Sequence, residues 1–145
     1  MKHKDVVGLI KSKNKCLRRF LEISLAFQES AQKADFSGLD SFQVGRESCL
    51  KTIDLYDRKI TQTVATLSDL DRTTDLSIQV ELYLREKNEL VALILDTDEV
   101  LMELIEGEKN RIQREVLQNQ KSKEAIGKFK STWVTPSGDG LDENL

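Results

Sequence analysis

The chain has little of what catalysis requires. It holds one histidine, His3, close to its start, and a Ser-His-Asp or Cys-His centre would have to be built on that residue. Cys16 and Cys49 are far apart in sequence and have no His/Cys companions, which leaves a zinc site almost without ligands. No glycine-rich phosphate loop occurs. No Glu-x-x-His pair occurs either, so Asp96, Asp98, Glu99, Glu103, Glu106 and Glu108 read as a solvated helix face rather than a di-metal site. The expectation is a protein that is not an enzyme and uses no metal or cofactor.

Proline is nearly absent. Pro136 is the only one in 145 residues, beside seven glycines. So few breakers let most of the chain run as helix. Aromatic residues make up only 6%, and β-branched residues seldom alternate with polar ones, so nothing favours sheet. Hydrophobic residues at 39% and charged residues at 32% exclude both a disordered chain and a membrane protein. No run approaches the ~18 apolar residues of a membrane span. Val6–Ile10 is too short for the core of a secretory signal, and Lys11 interrupts it. These features predict a cytoplasmic protein with no membrane insertion, in which both cysteines are free, buried thiols.

The net charge of −3 argues against nucleic acid as a partner. Its distribution is uneven. Lys2, Lys4, Lys11, Lys13, Lys15, Arg18 and Arg19 face only Asp5 in the first nineteen residues. This start reads first as a solvated helix face and second as a docking patch for an acidic partner.

What the chain does have is heptad spacing, and it predicts three helices. In the first, Lys4 to Ala34, Ile10, Leu17, Ser24 and Ala31 form one row, Phe20, Phe27 and Ala34 a second, and Leu21 widens the stripe. Asp35-Phe36-Ser37-Gly38 breaks the pattern with cap formers and a glycine, a tight turn that sends the next helix back antiparallel. The second helix, Leu39 or Asp40 to Leu67, carries Leu39, Arg46, Ile53, Ile60 and Leu67, with Phe42, Cys49, Tyr56 and Thr63 as companion row. Arg46 is the odd member, its stem placed along the seam and its head in water. After a polar connector, a long third helix runs from Leu76 to Phe129, with a break at Asp96-Thr97-Asp98 or Gly107 as the alternative. The fold class is therefore all-α: an antiparallel hairpin plus one long third helix, a three-helix coiled-coil-like bundle. Residues 1–130 form the helical domain and 131–145 a flexible tail.

The first two helices span about 40–45 Å each and the third about 80 Å. The hairpin can cover only the first half of the third helix. The second half still carries apolar side chains, and Leu101, Ile105, Ile112, Val116, Ile126 and Phe129 are the candidate client-binding residues. Asn119 and Lys123 dilute this stripe, which suits a reversible partner. If the third helix broke at Gly107, it could instead fold back and close a four-helix bundle.

Leu17–Ile60 resembles the opening hairpin of flagellar export chaperones of the FlgN/FliT type, with Asp35-Phe36 at the turn and Arg46-Glu47 before Cys49-Leu50. Leu90–Phe129 resembles the long last helix of that family at Ile94, Asp98, Leu101, Ile105, Lys109, Ile112 and Leu117, followed by Lys121 and Lys123 and an aromatic close. Where the family commonly ends on tyrosine, this chain has Phe129, which removes any role needing a phenol hydroxyl. The resemblance implies a cytosolic chaperone that holds the terminal helix of a late flagellar subunit, a hook–filament junction or cap protein. It would prevent early assembly and deliver its client to the type III export gate or export ATPase. The rival reading is a self-associating coiled-coil adaptor, a homodimer with no export role.

Overall fold

The computed structural model describes residues 2–133, with side chains described for 4–128. Three helices follow one another: α1 Lys2–Gln32, α2 Leu39–Ala65 and α3 Thr74–Trp133. The all-α architecture of a hairpin followed by a long third helix is as the spacing predicts, and no strand occurs among the described residues. The chain divides into two compact units, Met1–Leu104 and Ile105–Leu145. The helical domain expected over 1–130 is thus two units, and α3 runs three residues past the expected boundary. The remainder of the expected tail lies outside the described residues.

In the first unit, α1 supplies the core. Ile10, Leu17, Ser24 and Ala31 are all buried, as are Phe20, Leu21 and Phe27. Ser24 is tolerated there because its hydroxyl donates to the Phe20 carbonyl at 2.9 Å. Leu17, Phe20 and Leu21 pack on Leu90 and Ile94 of α3, with Cys49, Ile53 and Val91 at the edge. Lys13 pairs with Asp57 at 2.5 Å and Phe27 stacks on Phe42 at 4.5 Å, which fixes α1 and α2 as an antiparallel pair. Asn14 donates to the Tyr83 carbonyl at 3.0 Å, and Arg18 pairs with Glu86, so this part of α3 runs parallel to α1.

α1 ends in a Schellman arrangement: the Ala34 N–H donates to the Ala31 carbonyl at 3.0 Å and the Asp35 N–H to the Ser30 carbonyl at 2.9 Å. Ala34, expected in the second heptad row, instead lies past the helix end with φ 61°. Its left-handed backbone closes the last turn and takes it off the apolar face. Asp35 then accepts from the Ser37 N–H at 3.0 Å and the Ser37 hydroxyl at 2.6 Å, and these bonds hold its carboxyl below the usual carboxylate range. At the other connector Thr73 caps α3, its hydroxyl accepting from the Leu76 N–H at 3.1 Å.

Arg46 departs from expectation. Its guanidinium does not turn to water but pairs with Asp98 at 2.7 Å and lies 4.8 Å from the Phe20 ring centre. A planar cation can both stack on a ring and bond a carboxylate, which is how it occupies a seam position.

Candidate functional site

α3 is continuous from Thr74 to Trp133, so neither Asp96-Thr97-Asp98 nor Gly107 breaks it. At Asp96-Thr97-Asp98 the Thr97 hydroxyl satisfies the Leu93 carbonyl at 2.7 Å, and Asp98 is held by Arg46. With no turn at Gly107, the alternative of a chain doubling back there is removed.

The six residues expected to bind a client do not share one fate. Leu101 is 1% exposed, the most deeply buried leucine in the first unit. It belongs to the core, because its heptad row, which includes Ile94, is still covered there, and it is withdrawn from the docking face. Ile105, the first residue of the second unit, is half-buried. Ile112, Val116 and Ile126 are exposed at 48%, 49% and 47%. Phe129 falls on the helix, and its side chain lies outside the described residues. The stripe is therefore Ile105, Ile112, Val116 and Ile126, at spacings of seven, four and ten residues that return to one side of a helix. Asn119 and Lys123, the residues expected to dilute it, are exposed.

A change in one heptad row accompanies the boundary between the units. Ile94 and Leu101 continue, seven and fourteen residues on, as Glu108 and Glu115. Both bind Arg111, which pairs with Glu115 at 2.5 Å and reaches Glu108 through Nε at 3.1 Å. These bonds hold the Glu108 carboxyl below its ordinary value and raise the Arg111 guanidinium. Pairs at spacings of three and four residues favour a helix surface. The second unit thus keeps its helix partly by surface ion pairing and carries a narrower apolar stripe than the first.

Two further features escaped the heptad reading. Asn14 is 2% exposed within the core, and its Oδ1 has no hydrogen-bond partner; polarity kept it off every apolar row. An open cleft also lies in the first unit, between α1, the C-terminal half of α2 and the start of α3. Both cysteines are only partly buried, side by side on a shallower face of the hairpin. Burial, and then the neighbouring Cys49, push the Cys16 thiol up, away from thiolate reactivity.

Among the described residues, no group of three His, Cys, Asp or Glu side chains could hold a metal ion, and no helix is long and apolar enough to cross a membrane. No family model, curated protein or solved structure matches the chain.

Proposed function

We propose that the protein is a helix-binding chaperone, of the flagellar export kind that its hairpin and last helix resemble. The observation that carries this reading is the exposed row Ile112, Val116 and Ile126 on a helix whose second unit gives it no apolar cover. A client's terminal amphipathic helix lays its own apolar side on this row, ridge into groove. Covering half of each side chain contributes about 1 kcal/mol per residue, half the value for full burial. The stripe is short and interrupted, so the summed gain is modest and the client can be released at the export gate. The chemistry is packing alone; no reacting group is needed.

The test is titration of the full chain with a labelled peptide of the terminal helix of a hook–filament junction or cap protein. Ile112→Glu buries a charge in the contact and should weaken binding at least about thirtyfold, since an unpaired charge there costs 2 kcal/mol or more. The far-ultraviolet circular dichroism of the variant should match the parent. Unchanged affinity for Ile112→Glu defeats the assignment. A concentration-independent dimer in sedimentation, lost in the same variant, would instead favour the coiled-coil adaptor.

A further inference from the structure

The cleft in the first unit is separate from the stripe on the second. Its volume is about 500 Å³. α3 contributes Leu76, Val80 and Leu84 to its walls, and α2 contributes Ile60, Val64 and Leu67. Val6 and Ile10 of α1 line its inner side. Each wall presents side chains at i, i+4 or i, i+4, i+7 or i+8, the successive ridges of a helix. The packed core of the unit, around Leu17, Phe20 and Ile94, lies elsewhere along the helices. Val64 and Leu84 stay 36% and 44% exposed at the cleft.

The rim is charged in one sense. Lys13, Arg72 and Lys87 line it, against Asp57 alone. Asp57 is already engaged by Lys13 at 2.5 Å. Arg72 and Lys87 make no ion pair among the described residues, and they flank the apolar wall of α3 at its two ends.

We propose that this cleft docks an acidic amphipathic helix of a partner protein, one of about three to four turns with leucine-like side chains on one side and carboxylates beside them. Three helical walls with a gap are a four-helix bundle lacking one member, and only a helix offers ridges that fit all three. An acyl chain would fill the floor and leave its outer side in water; a helix covers the floor and presents its own polar side outward. The unmatched Arg72 and Lys87 set the sign of the partner's charge and speed its encounter. The cleft and the α3 stripe are in different units, so this inference does not depend on the client reading.

The experiment uses the full chain and two fluorescein-labelled model peptides of eighteen residues, with leucine at every third or fourth position and either glutamate or lysine at the polar ones. On the Ile112→Glu chain, whose α3 stripe is spoiled for an amphipathic helix, the glutamate peptide should bind saturably at one-to-one stoichiometry, with the lysine peptide at least about tenfold weaker, the ratio shrinking as salt is raised. Val64→Trp fills the cleft and should weaken the glutamate peptide about tenfold or more. Arg72→Glu combined with Lys87→Glu changes only the rim, folds independently of how well the tryptophan is accommodated, and should reverse the preference between the peptides. Equal binding of the two peptides would overturn the proposal. So would glutamate-peptide binding that survives both cleft variants, or none at all on the Ile112→Glu chain. Saturable decanoate binding that Val64→Trp abolishes, with no peptide bound, would overturn it in favour of an acyl-chain site.

Discussion

Replacing Arg46 by alanine tests how α2 is held to α3. The guanidinium lies 2.7 Å from Asp98 Oδ2, and the two side chains are 30% and 24% exposed. Asp98 Oδ1 is buried without a hydrogen-bond partner, so among the described residues Arg46 alone bonds that carboxylate. Breaking a fully buried pair costs about 3–5 kcal/mol, because the surviving charge is stranded. With a quarter to a third of each side chain in water, that falls to about 2–3 kcal/mol, including the lost stacking on Phe20 and Phe42. Removing both partners, Arg46→Met with Asp98→Leu, should lie within about 1 kcal/mol of the parent, because no charge is left uncompensated. Urea unfolding followed by circular dichroism at 222 nm, on the parent, Arg46→Ala, and Arg46→Met and Asp98→Leu singly and together, closes the cycle. The reasoning fails if Arg46→Ala costs under about 0.5 kcal/mol, or if the double loses the sum of the two singles.

Ala34→Gly should raise the urea midpoint by the equivalent of about 0.5–1 kcal/mol: relief of the left-handed strain outweighs the added freedom of the unfolded chain. Thr73→Ala removes the hydroxyl that caps α3 and should destabilise by about 1 kcal/mol in the same assay, with Thr73→Ser close to the parent. The folded-state pKa of Glu108 is depressed by Arg111, so its contribution is present above the ordinary glutamate value of 4.5 and lost as pH falls through the depressed one. A carboxyl-carbon NMR titration should find Glu108 titrating below the ordinary glutamate value, and Arg111→Gln should remove that depression.

How much of this was readable beforehand differs by helix. The α1 stripe is legible from Ile10 to Ala31 except at Asn14, because a helix covered on one side keeps a regular apolar row. The α2 rows were legible as rows but not as core: Phe42 is the only one of its residues that is fully buried. Heptad position says which way a side chain turns; it does not say whether the facing helix is close enough to cover it, and so the cleft went unseen. The same limit explains Leu101. Its row was right, but the end of cover is marked only by the switch to Glu108 and Glu115, a signal that carries meaning once Arg111 is known to bind both. Ala34 was placed by periodicity on a helix that had already ended, since the cap is written in backbone hydrogen bonds rather than in a glycine. Arg46 stands out as a charge in an apolar row, but its partner fifty-two residues away lies beyond any local pattern.

Asn14 works as an alignment mark. Leucine in its place would pack as well after α1 had slid by a turn, since aliphatic ridges tolerate many offsets. An amide cannot slide: away from the Tyr83 carbonyl it would lose its single bond and leave both polar atoms dry. One polar residue thus narrows the ways in which α1 and α3 can mate, and gives up some stability for a unique pairing.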